Sequence, residues 1–199
     1  MVVLGVTGGI GSGKSYISSL LREQMNVPVY DCDAEAKRLI SEDEEIRQEL
    51  TKLVGAPIFK EGKLQKKVLA DYLFANEQHV QKVNAIVHPA VRSDIGKWAK
   101  QQDSEVVAVE SAILYESGFD TLVDKVLFVN APLELRIQRA MKRDGSIREQ
   151  IEARIGMQQS EQQREKADYI IDNVTEGKTD LLDALQRILE KITLNLTEI

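Results

Sequence analysis

Short apolar runs recur along this chain, each ending in polar residues, with helix-period stretches between them. Residues 2–7 read Val-Val-Leu-Gly-Val-Thr and form the first run. Residues 27–30 lead into Asp31-Cys32-Asp33, and 105–109 into Glu110-Ser111. Residues 125–129 end at Asn130-Ala131-Pro132, and 169–171 at Asp172-Asn173. Continuous apolar runs of this kind suit strands buried on both faces. Their alternation with helical stretches predicts an α/β fold, a five-stranded parallel sheet with helices on both sides. Ligands in such sheets gather at the carboxyl ends of the strands. Those ends carry a glycine-rich loop, Asp31, Asp33, Glu110 and Asn130.

The spacing of the runs is uneven. The stretch from Asp33 to Val106 far exceeds the dozen or so residues that a crossover needs. Segments 34–40, 44–54, 64–74 and 80–87 within it show periodic apolar positions. We read 34–101 as a helical insertion beside the cleft. Residues 139–166 are dense in charge, with Ile147, Ile151 and Ile155 four apart on one helix face after an Asp144-Gly145 turn. A thinly apolar helix over a site behaves as a mobile lid, with a solvated surface hairpin as the alternative. Residues 1–33, 102–138 and 167–199 are left as the core of a single domain. The last helix, 178–194, aligns Leu181, Leu185, Ile188, Leu189 and Ile192 for packing.

The glycine-rich loop decides the chemistry. Residues 8–15 read Gly-Gly-Ile-Gly-Ser-Gly-Lys-Ser and fit G-x-x-x-x-G-K-[ST] without a gap. They follow a strand and precede a helix. Glycines let the loop turn its N–H groups toward anionic oxygens, and the helix N-terminus adds partial positive charge. Lys14 suits the β- and γ-phosphates of a nucleotide, and the Ser15 hydroxyl suits Mg²⁺. A dinucleotide fingerprint needs glycines at i, i+2 and i+5, and no such set occurs here.

Composition narrows the setting. A chain of 199 residues fits one α/β domain with an insertion. A net charge of −6 argues against general binding to nucleic acid or a membrane surface. The one cysteine, Cys32, forms no internal disulfide and suits a reducing cytoplasm. No basic, apolar leader opens the sequence, and no apolar run is long enough to span a bilayer.

Other residues are candidates for chemistry. On an extended segment Asp31 and Asp33 share one face. A carboxylate at Asp33 can accept a proton from an attacking hydroxyl, or it can cap the helix that follows; spacing leaves both open. Arg136, Arg139 and Arg143 lie on one helical face and suit phosphoryl oxygens, with surface pairing as the alternative. His88-Pro89 reads as a helix entry or a tight turn. Glu116 follows an apolar turn and can bind a polar ligand or simply face water. The two histidines lack the neighbours of a structural zinc site.

In order along nearly the whole chain, these motifs resemble the dephospho-coenzyme A kinase family, P-loop kinases of the nucleoside-monophosphate-kinase type. Residues 7–15 resemble its phosphate loop, and Asp31-Cys32-Asp33 its D-x-D segment. His88-Pro89 matches a pair in its substrate domain, and residues 112–118, Ala-Ile-Leu-Tyr-Glu-Ser-Gly, resemble its P-L-L-[FY]-E-s-g element. Arg139 and Arg143-Asp144 resemble its lid-border arginines. Gln158 or Gln159 resembles its lid glutamine, and residues 167–173 its closing A-D-x-x-I-x-N strand. Two positions depart: Ala112 stands where proline is usual, and Asn173 is followed by Val174-Thr175 where glycine is usual.

The resemblance implies transfer of the ATP γ-phosphoryl group to the ribose 3′-hydroxyl of dephospho-coenzyme A, with Mg²⁺. It implies catalytic roles for Asp33, Lys14, Arg139 and Arg143. It places the nucleotide at Gly9, Gly11, Ser12, Gly13, Lys14, Ser15, Tyr16 and Asn173, with Ser15 on the metal. It places the acceptor at Asp33, His88, Leu114 and Glu116. The implied protein is a cytoplasmic monomer or small homo-oligomer with a small-molecule substrate. A kinase of another small nucleotide or sugar is the alternative. A nucleotide-hydrolysing switch would want a D-x-x-G or N-K-x-D string, and neither occurs.

Overall fold

The computed structural model describes residues 1–55, 57–156, 158, 160–174 and 178–194. The elements run β1 (Val2–Thr7), α1 (Lys14–Met25), β2 (Val29–Asp31), α2 (Cys32–Glu42), α3 (Glu44–Val54), β3 (Phe59–Lys60), β4 (Lys63–Leu64) and α4 (Lys66–Ala75). They continue with α5 (Glu77–Ala99), β5 (Val106–Glu110), β6 (Lys125–Asn130), α6 (Leu133–Asp144), α7 (Arg148–Gly156), α8 (Ser160–Lys166), β7 (Tyr169–Asp172) and α9 (Lys178–Leu194). The chain forms two compact units, one of residues 1–30 and 101–199, the other of residues 31–100.

The first unit is built on the five-stranded parallel sheet, in the order β2-β5-β1-β6-β7, with helices on both faces. β1 is central: Val2 pairs with Val106 on one side, and Leu4 with Lys125 on the other. Leu4, Val6, Val106, Ala108, Leu127 and Val129 form one core with Ile17, Leu20 and Leu21 of α1. Leu181, Leu185, Ile188 and Ile192 of α9 complete it, and Leu189 is partly buried against it. Gly5 meets the opposite layer, where a Cβ would stand 2.9 Å from Leu114 Cδ2. The strand expected from residue 27 begins at Val29. Asn26 closes α1 in the left-handed region (φ 54°), and Val27 turns into the core before the extended segment starts.

Three sequence expectations for the helical unit are corrected. Asp31 and Asp33 do not alternate along a strand, because α2 begins at Cys32. Asp31 is its N-cap: Asp31 Oδ1 accepts from the N–H groups of Asp33 and Ala34, both at 3.0 Å. His88-Pro89 marks neither a helix entry nor a turn, since Pro89 lies inside the 23-residue α5. Proline there forfeits a backbone bond and is locally unfavourable by about 3 kcal/mol. The buried stripe Val83, Val87, Val91, Ile95 and Ala99 runs past it on both sides and packs α5 against α2, α3 and α4. Burial at about 1.5–3 kcal/mol per aliphatic side chain outweighs the lost bond. A hairpin also appears where none was expected. Phe59 pairs with Leu64 and Lys60 with Lys63 across Glu61 and Gly62, both at positive φ.

Candidate active site

Residues 8–13 join β1 to α1 as a loop, and α1 starts on Gly13 in the left-handed region (φ 93°). Ser12 N–H donates to the Gly9 carbonyl at 3.1 Å, which closes the turn. Gly11, Gly13, Lys14, Ser15 and Tyr16 line a cavity of about 180 Å³ with Arg139, Ala140 and Arg143. The remaining expected nucleotide residues face inward. Gly9, Ser12 and Asn173 are buried. Asn173 and Ser12 are joined to each other by a hydrogen bond within the enclosed part of the loop.

That support is specific. Asn173 Nδ2 donates to the Ser12 carbonyl at 2.8 Å, and Arg139 Nη1 reaches the same oxygen at 3.5 Å. Arg136 Nε donates to the Ile10 carbonyl at 3.0 Å. A trans peptide points its C=O and its N–H in opposite directions. With carbonyls 10 and 12 held by these donors, the N–H groups of Gly11 and Gly13 point away from the oxygens of their own peptides. The Ile10 N–H donates to Gln158 Oε1 at 2.8 Å. Gln159 lies outside the described residues.

Charge is arranged around this cradle. Lys14 Nζ lies 3.5 Å from the Gly9 carbonyl. Arg139 Nη1 donates to the Asn173 carbonyl at 3.1 Å. Arg143 forms a fork with Asp144, Nε to Oδ1 at 2.7 Å and Nη2 to Oδ2 at 3.1 Å, and Arg154 reaches the same carboxylate at 2.7 Å. The hydrogen bonds from Arg143 and then Arg154 hold the Asp144 carboxyl well below its usual range. Ser15 Oγ donates to Glu110 Oε1 at 2.8 Å, and Glu110 is buried at the end of β5. Two hard oxygen donors thus stand together beside the loop, a fitting donor set for Mg²⁺.

Residues of α6 and α7 pack against the loop. Ile151 of α7 is fully buried with Ile137 and Ala140 of α6, and Ile10, Ile155 and Met141 flank them. Ile147 does not share that face; it precedes α7 and is 59% exposed. On α8 the buried Gln163 donates to Glu116 Oε1 at 2.5 Å, and Lys166 Nζ sits 5.6 Å from the centre of the Tyr115 ring. Leu114 is fully buried, so its expected contact with the acceptor is corrected to core packing.

Asp33 stands in the first turn of α2 in the helical unit. Capping falls to Asp31, so the alternative of a helix-capping Asp33 is removed. No hydrogen bond among the described residues engages the Asp33 carboxylate. His88 is half-buried on α5, where burial and then Arg92 lower its pKa and favour the neutral ring. Sequence reasoning left Glu110 without an assigned role and gave Arg136 phosphoryl contact or surface pairing, whereas Arg136 is buried and donates to the Ile10 carbonyl. The sequence signals were a carboxylate at a strand end beside the loop strand, and an arginine in the first turn of a helix.

The dephospho-CoA kinase family model matches residues 2–179 of this chain. A dephospho-CoA kinase of Bacteroides fragilis is 45% identical over 190 residues, 94% of this chain and 91% of that protein. One from Porphyromonas gingivalis is 42% identical, over 84% of this chain and 82% of that protein. Among solved structures, dephospho-CoA kinase from Campylobacter jejuni superposes with a TM-score of 0.70 at 26% identity, over 97% of this chain and 98% of that one. Shikimate kinase from Bacteroides thetaiotaomicron shares the fold, with a TM-score of 0.55 at 19% identity over 96% of this chain and 98% of that one.

Proposed function

The chain belongs to the dephospho-CoA kinase family, and from that premise we propose how its residues divide the reaction. The chain is an ATP-dependent kinase. It phosphorylates the ribose 3′-hydroxyl of dephospho-coenzyme A, the final step of coenzyme A synthesis. The observation that carries the assignment of roles is the loop itself, whose carbonyls are tied back so that Gly11 and Gly13 offer their N–H groups to a phosphate chain.

In this reading Lys14 neutralises the β- and γ-phosphates, and Asp33 takes the proton of the attacking hydroxyl. Arg139 supplies the main charge to the migrating phosphoryl group. Arg143 supplies less, because Asp144 already balances it. Ser15 and Glu110 would hold Mg²⁺, which when bound neutralises phosphate charge. Residues 34–101, with His88, and Glu116 would hold the acceptor. Residues 139–166 would act as the lid that excludes water. We also place the protein in the cytoplasm, as a monomer or small homo-oligomer without nucleic-acid or membrane partners. No described helix is long and apolar enough to cross a membrane.

The test is ATP consumption with and without dephospho-coenzyme A, with the product identified by mass and its phosphate located on the ribose. ATP turnover that needs this acceptor and yields the 3′-phosphate is the expected result. Hydrolysis without acceptor phosphorylation, or preference for another alcohol, refutes the reading.

A further inference from the structure

Arg139 and Arg143 line the cavity in front of the phosphate loop; Arg136 lies behind it. We propose that Arg136 is a positioning residue for this reaction: a buried strut that fixes the Ile10–Gly11 peptide so that the Gly11 N–H meets the ATP phosphates. The inference rests on the ATP-binding reading of the loop given above.

Arg136 is 7% exposed, in the first turn of α6, one face of which is otherwise apolar with Ile137 and Ala140. A guanidinium is a costly group to bury, and an aliphatic side chain would pack there at lower cost. Its charge is therefore expected to be used. Nε holds the Ile10 carbonyl, which orients the Gly11 N–H of the same planar unit away from Arg136. Gly11 lines the cavity, and Arg136 does not.

The loop glycines are shaped around this arginine. A Cβ on Gly9 would stand 2.0 Å from Arg136 Nη2. One on Gly11 would stand 2.1 Å from the Arg136 carbonyl oxygen. The two glycines thus admit the arginine from opposite ends, one for its side chain and one for its backbone. Arg136 also sets a permanent positive charge directly behind the phosphate cradle, where low exposure limits its screening.

The test uses the full-length enzyme, with wild-type turnover as the control for the ATP reading itself. R136M keeps the length and loses the charge and donors. It should raise KM for ATP about tenfold, the loss of one hydrogen bond to a charged group, and leave KM for the acceptor within about twofold. R136K restores charge but not the fork and should fall between the two. A merely structural arginine would lower the melting temperature and move both KM values alike, or neither; either result overturns the inference. A second pair of variants applies even if R136M fails to fold. G9A should abolish ATP binding, and G9A/R136A should recover part of it, because the clashing atoms are gone. G11A should not be recovered by R136A, since its clash is with backbone and its φ is +75°. No recovery in G9A/R136A, or equal recovery of G11A, refutes the strut.

Discussion

Replacing Asp31 and Asp33 in turn separates a structural carboxylate from a chemical one. Asp31 accepts two amide hydrogens at the start of α2. Asp31→Ala leaves both without their partner and should cost about 1 kcal/mol, the usual value for a lost N-cap. In a domain of this size that is about 2–4 °C in melting temperature. Asp31→Asn keeps an oxygen at the same place and should cost only a few tenths of a kcal/mol. Asp33 caps nothing, so Asp33→Asn should leave the melting temperature unchanged. If Asp33 is the base, the same change should lower kcat by about 10²–10⁴, or about 2.7–5.4 kcal/mol in the barrier at 1.36 kcal/mol per factor of ten. Thermal unfolding followed by circular dichroism and kcat at saturating ATP and acceptor give the two readouts. Asp33→Asn with a depressed melting temperature and near-normal kcat would refute the division of labour. So would Asp31→Asn with the larger loss of rate.

Three further outcomes follow from the site. Arg139→Ala should lower kcat by about 10³ or more, and Arg143→Ala by less, measured at saturating ATP; the reverse order would mean that Asp144 releases Arg143 during the reaction. Leu114→Ala should destabilise by about 2–5 kcal/mol, or about 4–20 °C in melting temperature, with little change in KM for either substrate below the transition; a large rise in acceptor KM at normal stability would return Leu114 to the binding site. His88 has a lowered pKa, so its neutral form is favoured in the folded state. Its contribution is fully present above the unfolded value, about 6.5, and is lost as pH falls through the folded one. Denaturant unfolding between pH 5 and 8 should show that slope, and His88→Gln should remove it.

How legible each part was depends on how local its cause is. The phosphate loop was legible because strand, loop and helix start lie in one contiguous stretch, and glycine chemistry there leaves few alternatives. The sheet strands were legible from their buried runs, to within a residue or two at their ends. The Asp31–Asp33 segment was misread because one side chain capping two amides is a local contest that alternation cannot register. Pro89 was misread because its local penalty is visible in sequence, whereas the burial that overrides it comes from three other helices. The hairpin at Phe59–Leu64 gave a weak signal, with glutamate where asparagine or aspartate usually marks the turn. Helical spacing put Arg136, Arg139 and Arg143 on one face but could not show that the first is enclosed and the third is paired to its neighbour.

The central place of β1 carries a consequence for the order in which this protein assembles. β1 stays open until β5 and β6 have been made, because Val2 must wait for Val106 and Leu4 for Lys125. The helical residues 31–100 emerge meanwhile and can form their shorter-range contacts at once. The catalytic loop therefore remains on an unpaired, apolar segment for most of synthesis. Truncated chains ending before residue 130 should expose that strand rather than bind nucleotide. The same arrangement makes nucleotide affinity a report on whether the carboxyl half of the sheet has closed.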